Sequence, residues 1–164
     1  MKADTVIKRS LCFTYDLEDY RKTKTPSTRR YEENTEKVLD WLDKNYIKSS
    51  FFIVGNLAKN SPQLIKKVAK RGHDICFHSF HHTPLTIERR ETFENESIYG
   101  KSLLEDLTGR SVVGFRAPCF SLTKNSSWAI ETLTAIGFKY SSSTIPSKTG
   151  KYFYPGIPEE PFCW

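Results

Sequence analysis

The segment Gly72-His73-Asp74-Ile75-Cys76-Phe77-His78-Ser79-Phe80-His81-His82 holds all four histidines of the chain. Its apolar run over residues 74–77 predicts a short β-strand, and a histidine cluster follows that strand directly. His78 and His82 are four residues apart, and on a helical turn this spacing puts both imidazoles on one face, where they can share a metal ion. The segment therefore predicts one strand of a sheet with a metal-binding cluster at its carboxyl end.

On both sides of this segment, short apolar runs alternate with longer amphipathic ones. The predicted strands cover residues 11–15, 50–54, 74–77, 111–115 and 138–141. The predicted helices cover residues 31–44, 61–71, 92–108 and 125–136, with Ser61-Pro62 as a start signal and Gly72, Gly109 and Gly137 as stops. Alternating strands and helices predict an α/β fold built on a parallel sheet or barrel. From about residue 145 to residue 164, prolines and glycines predict an irregular tail.

Polar clusters follow three of the predicted strands. Asp16, Glu18 and Asp19 follow the first strand, residues 78–82 follow the third, and residues 116–120 follow the fourth. Parallel sheets and barrels carry their active sites at the carboxyl ends of their strands. The three clusters are therefore expected to meet on one rim.

The acidic cluster offers a metal ligand and a base. Strand alternation sends Asp16 and Glu18 to the same side of the sheet. One of these carboxylates could bind metal while the other takes a proton from water, and Asp19 could instead cap the following turn. Two histidines and one carboxylate are a typical catalytic zinc set. Arg116 could pair with Asp16 and orient it, or it could bind a substrate oxygen.

The remaining histidines and two cysteines are expected to be structural. His73 precedes its strand and is predicted to be a turn or surface residue, and His81 is predicted to point away from His82. Cys12 and Cys76 lie in apolar runs, where a free thiol behaves as a small buried hydrophobe. Reduced thiols are expected rather than a disulfide framework.

Composition favours one globular domain over residues 1–164. The chain has a mass of 19.0 kDa and is 38% hydrophobic, which suits a single packed core. Its net charge is +6, but the basic residues recur at helical spacing, which favours solvated helix faces over nucleic-acid binding. No stretch is long enough to span a membrane, and the first ten residues lack an apolar signal region. A cytoplasmic location is therefore expected.

Five motifs, in order, resemble those of the NodB-homology polysaccharide deacetylases, carbohydrate esterase family 4. Thr14-Tyr15-Asp16-Leu17-Glu18-Asp19 resembles the T-F-D-D motif and most closely its D-x-[DE] variant. The others lie at residues 50–55, matching TFFVxG; 72–82, matching GHEI followed by H[ST]xxH; 114–121, matching GYRAPSFS; and 137–143, resembling GFxYDSS.

The resemblance implies a distorted (β/α) barrel and metal-dependent hydrolysis of an N-acyl group, usually the N-acetyl group of an amino-sugar glycan. It implies that Asp16 is the general base, that Glu18, His78 and His82 bind a divalent metal, typically zinc, and that Arg116 holds Asp16. Asp19 is an alternative ligand to Glu18. Pro118 and Phe120, in the fourth motif, are expected to contact substrate.

The chain departs from the family pattern at two places. Ser141 stands where the family usually has an aspartate, and no histidine follows His82 to act as the family's late general acid. The barrel is therefore expected to be incomplete, without its C-terminal strands, and its open edge could support self-association. Two other functions stay open. One is hydrolysis of a different C–N bond, by a deformylase or amidohydrolase, and the other is an inactive fragment that binds glycan or metal.

Overall fold

The structure is a computed structural model, and it describes residues 11–19, 30–145, 152, 154–158 and 160–163. Five strands alternate with helices along the described residues. The elements are β1 (Thr14–Leu17), α1 (Arg30–Lys44), β2 (Ser50–Ile53), α2 (Gly55–Asn60), α3 (Pro62–Lys70), β3 (Asp74–Phe77), α4 (Arg90–Thr108), β4 (Gly114–Phe115), α5 (Trp128–Ile136) and β5 (Tyr140–Ser141). Short 3₁₀ turns lie at Pro118–Phe120 and Lys124–Ser126.

The strands form one parallel sheet in the order β1-β2-β3-β4-β5. Each strand pairs with the next one in sequence, which is the strand order of a (β/α) barrel wall. The register aligns Leu17 with Ile53, Ile53 with Phe77, and Phe77 with Phe115. The predicted α/β fold is therefore confirmed, and among the described strands β1 and β5 form the two edges.

The core lies between the sheet and its helices. Phe51, Phe77 and Phe115 are fully buried, and Leu39 of α1 and Leu104 of α4 are equally inaccessible to solvent. In α3 the predicted stripe at Leu64, Ile65, Val68 and Ala69 is buried, as its 3.6-residue spacing requires. No helix of the described part of the chain is both long and apolar enough to cross a membrane.

The short helix α2 was not predicted. Gly55 follows an apolar strand and resembles a simple strand stop, yet it begins a six-residue helix. Two backbone N–H groups at the start of α2, those of Gly55 and Asn56, donate to the carbonyl oxygens of Ser79 and Phe80 at 2.9 Å each. A Cβ on residue 55 would collide with the Phe80 ring. A long-range contact with the histidine segment therefore stabilises α2.

Several predicted boundaries are wrong. The first strand begins at Thr14, and Leu11 and Cys12 are exposed, so the prediction that Cys12 is buried is wrong. The fourth strand is only Gly114–Phe115, and the last predicted helix divides into the Lys124–Ser126 turn and α5. Residues 146–151, 153, 159 and 164 of the predicted irregular tail lie outside the described residues, whereas the part of the tail that is described contains no helix or strand.

His73 is buried, which contradicts the prediction of a turn or surface residue. Its ring packs against Phe51 at a centroid distance of 5.1 Å. Its Nδ1 accepts the backbone N–H of Ser49 at 3.3 Å, and its Nε2 is buried without a hydrogen-bond partner. Burial lowers the pKa of His73, with a smaller contribution in the same direction from nearby Lys48.

Candidate metal and catalytic site

The carboxyl ends of three parallel strands bring the candidate residues together. Asp16 lies within β1 and Glu18 directly follows it, His78 follows β3, and Arg116 follows β4. Leu17, between the two acids, is buried on the opposite side of the strand. The parallel register aligns these strand ends, so residues distant in sequence meet on one rim.

Three of the predicted ligands form a cluster that could hold a metal ion. One ligating atom each from Glu18, His78 and His82 lies within 4.8 Å of the other two. The rings of His78 and His82 approach edge to face, with centroids 5.0 Å apart. Glu18 also contacts Nε2 of His82 through its carboxylate. Two imidazoles and one carboxylate are the donor set of many catalytic zinc sites, so the residues fit the implied metal.

Hydrogen bonding prepares His78 to act as a ligand. Its Nδ1 lies 2.7 Å from the carbonyl oxygen of Arg116, and because a carbonyl only accepts, Nδ1 carries the proton. The lone pair is then on Nε2, which faces Asp16 with 3.9 Å to Oδ2. Burial lowers the pKa of His78, opposed by the Arg116 hydrogen bond and the charge of Asp16. Neutral imidazole with an oriented second nitrogen is the form that binds metal.

The loop that carries His78 and His82 is not the helical turn that their spacing suggested. Residues 78–84 contain no helix, and Ser79 and His82 have φ angles of 57° and 60°. Left-handed backbone costs a non-glycine residue about 1–2 kcal/mol. The hydrogen bonds from Gly55 and Asn56 to this loop help to maintain the conformation. The two imidazoles therefore converge through loop geometry.

The half-buried Asp16 and the buried Arg116 form an ion pair beside the candidate metal ligands. Nη1 of Arg116 donates to Oδ1 of Asp16 at 2.5 Å. The guanidinium lies 3.9 Å from the centroid of the Phe52 ring, which fixes its plane. Oδ2 of Asp16 is the oxygen nearer to His78, so the carboxylate has one oxygen toward the arginine and one toward the candidate metal site.

The other predicted site residues lie on the same rim with different environments. Asp19 is half-buried after Glu18 and does not belong to the three-residue cluster. Pro118 is buried, and the half-buried Phe120 ring lies 5.3 Å from the Arg116 guanidinium carbon. His81 points away from the cluster, with its Nε2 3.5 Å from Glu96.

Sequence reasoning missed two hydroxyl residues that contact Arg116. Thr14 Oγ1 accepts from Nη1 and Nη2 at 3.2 Å each, and Ser142 Oγ accepts from Nη2 at 3.0 Å. Thr14 opens the first motif and its position there could have indicated a role. Nothing in the local sequence distinguishes Ser142 from its serine neighbours.

Comparison with known proteins agrees with this fold. A family model described as polysaccharide deacetylase matches residues 4–140, which is most of the chain. The chain therefore belongs to the polysaccharide deacetylase family.

Three of the similar proteins come from Bacillus species. The chain is 44% identical over 62 residues to the peptidoglycan-N-acetylmuramic acid deacetylase PdaA of Bacillus subtilis, covering 38% of this chain and 24% of that protein. It is 31% identical over 100 residues to a peptidoglycan-N-acetylglucosamine deacetylase of Bacillus cereus, covering 60% and 36% respectively. A solved family 4 carbohydrate esterase from Bacillus anthracis superposes with a TM-score of 0.62 at 21% identity, covering 79% of this chain and 56% of that one.

In each comparison the match covers a larger share of this chain than of the relative. The chain spans about a quarter to a third of the length of these two curated relatives and about half of the solved structure. The similarity to the solved structure shows a shared fold.

Proposed function

We propose that this chain supplies the metal and base half of a metal-dependent deacetylase that removes N-acetyl groups from amino-sugar glycans. The observation that carries the proposal is the juxtaposition of the Glu18, His78 and His82 cluster with the Asp16–Arg116 pair. The curated relatives named as peptidoglycan deacetylases support a glycan substrate. Because those relatives differ in the sugar they name, the proposal extends to N-acetyl amino sugars as a class.

Each residue of the site has a task in this proposal. Glu18, His78 and His82 would hold a divalent metal, typically zinc, which would polarise the amide carbonyl and lower the pKa of water. Asp16 accepts a proton at Oδ2, the oxygen that faces His78, while Arg116 donates a hydrogen bond to Oδ1 and so orients the carboxylate. His78 keeps its proton on Nδ1 because the Arg116 carbonyl accepts it, and so presents Nε2. The Phe120 ring offers an apolar surface beside the guanidinium for a sugar ring.

Zinc binding is tested first, by isothermal titration of the purified chain. We expect one zinc ion per chain and at least a tenfold weaker affinity in Glu18→Ala, because a charged ligand is lost. The matched control is Asp19→Ala, which removes the neighbouring carboxylate and is expected to leave the affinity within about twofold. Full zinc occupancy in Glu18→Ala would contradict the ligand assignment.

Acetate release tests the reaction. Chito-oligosaccharides and peptidoglycan fragments are incubated with the chain before and after removal of metal by a chelator. Chelator-sensitive acetate release that Asp16→Asn abolishes, with zinc affinity retained, is the expected result. N-formyl sugars and cyclic amides serve as comparison substrates, and their faster hydrolysis would favour a different C–N hydrolase.

A second candidate function is binding of metal and glycan without turnover. The observation that favours it is that His82 is the last histidine of this chain, so no later histidine here can protonate the leaving amine. Zinc binding at the expected stoichiometry, with no chelator-sensitive acetate release, would favour this second function.

A further inference from the structure

We propose that Ser142 is a positioning residue that orients the Asp16 carboxylate through Arg116. The inference rests on the proposed function, in which Asp16 takes a proton, and it concerns a residue that contacts neither the metal cluster nor Asp16 itself. Its basis is the set of contacts around one guanidinium group.

Ser142 holds Arg116 through two of its own atoms, a backbone oxygen and a side-chain oxygen. Its carbonyl oxygen accepts from Nε at 3.2 Å, and its hydroxyl accepts from Nη2 at 3.0 Å. The third nitrogen, Nη1, donates to Asp16. A planar guanidinium bound at Nε and Nη2 has a defined position and rotation. The N–H groups of Nη1 therefore have fixed directions. One of these N–H groups points to Oδ1 of Asp16.

The backbone places Ser142 accurately. Its N–H donates to the Phe115 carbonyl at 2.8 Å, which extends the pairing of β4 with β5 by one step. The next residue, Ser143, is buried and accepts the Ala117 N–H at 2.8 Å through its hydroxyl. The segment after β5 is therefore hydrogen-bonded to Phe115 and Ala117, the residues before and after Arg116.

The hydrogen bonds to Arg116 matter because the Asp16 carboxylate lies close to the candidate metal ligands. Its second oxygen lies 3.9 Å from Nε2 of the candidate ligand His78. Without the hydrogen bonds from Arg116, the carboxylate would be free to rotate toward the candidate ligands, and it would then no longer be placed as a base. Thr14 limits this movement from the β1 side, since its hydroxyl accepts from both terminal nitrogens.

The test compares Ser142→Ala with Ser142→Thr, which keeps a hydroxyl, and with Ser111→Ala, which removes a hydroxyl from an exposed residue before β4. The first readout is solvent exchange of the Arg116 guanidinium hydrogens by ¹⁵N NMR, assigned by their loss in Arg116→Lys. We expect exchange to rise about tenfold in Ser142→Ala, because one hydrogen bond to a charged group is lost. Ser142→Thr and Ser111→Ala should resemble the wild type.

The second readout is catalytic. In Ser142→Ala we expect kcat for acetate release to fall about tenfold, with KM and zinc affinity within about twofold, and Ser142→Thr should recover most of it. An inactive wild type would overturn the proposed function, and the exchange measurement would then decide the positioning role alone. Unchanged Arg116 exchange in Ser142→Ala would overturn the inference, as would a change in KM at constant kcat.

Discussion

Gly100 of α4 packs directly against Phe77, the last residue of β3, and the substitution Gly100→Ala tests how closely the helix fits the sheet beside the metal site. A methyl group on residue 100 would lie 2.5 Å from Cζ of Phe77 and closer still to Cε2. Carbon atoms prefer about 3.5–4.0 Å. The Phe77 ring is fully buried, with the Phe115 and Phe138 rings at 6.1 and 6.2 Å. The substitution therefore pushes α4 away from β3, next to His78.

The size of the effect follows from two opposing contributions. Overpacking a close-packed core costs about 1–3 kcal/mol. Alanine is favoured over glycine in a helix interior by about 1 kcal/mol, which offsets part of that cost. Because the added methyl group would lie so close to the buried Phe77 ring, the overpacking cost should lie in the upper part of its range. The free energy of unfolding is therefore expected to fall by about 1–2 kcal/mol, and at about 2–4 °C per kcal/mol the melting temperature falls by several degrees. Zinc affinity should also weaken, because the displaced strand carries His78.

Thermal and urea unfolding of four variants measure this. Ser102→Ala, at an exposed position of the same helix, is the control and should be neutral or slightly stabilising. Phe77→Leu replaces the ring with a smaller aliphatic side chain and so makes room for the added methyl group. The double variant Gly100→Ala/Phe77→Leu should therefore have an unfolding free energy about 1 kcal/mol higher than the sum of the two single effects predicts. If Gly100→Ala is as stable as the control, or if the two changes add within about 0.5 kcal/mol, the steric argument is wrong.

Three further predictions concern charge and reactivity. Arg116→Lys loses the planar contacts with Asp16, so kcat for acetate release should fall by about 10–100-fold while titration shows unchanged zinc affinity; an equal loss of zinc binding would contradict this. Burial raises the pKa of the Cys76 thiol to about 11, so at pH 7.5 mass spectrometry should find iodoacetamide on the exposed Cys119 well before Cys76. Because burial lowers the pKa of His73, the unfolded state binds more protons than the folded state, and stability should be lost as the pH falls below about 6.5. Urea unfolding at pH 5 and pH 7 measures this loss, and the difference in unfolding free energy between the two pH values should be smaller in His73→Phe than in the wild type. An unchanged difference would assign the acid sensitivity to other groups.

Much of the fold could be predicted because its signals are local. Apolar runs of four or five residues marked the five strands, and the stripe of Leu64, Ile65 and Val68 marked α3. The helix α2 escaped prediction because its first N–H groups bond to Ser79 and Phe80, more than twenty residues away. Burial of His73 escaped for a similar reason, since its environment is created by Phe51 of a neighbouring strand.

The sequence by itself determined the alternation of strands and helices and the donor types at the strand ends, namely two histidines, paired acids and an arginine. These follow from side-chain periodicity and from residue chemistry, which are properties of short segments. The sequence left Arg116 either to pair with Asp16 or to bind a substrate oxygen, and only the tertiary structure showed the pair, across 100 positions of sequence. Only the tertiary structure also decided that a non-helical loop joins His78 to His82 and that Ser142 holds the guanidinium. Those contacts depend on strand register and backbone hydrogen bonds between distant segments, and no local pattern encodes them.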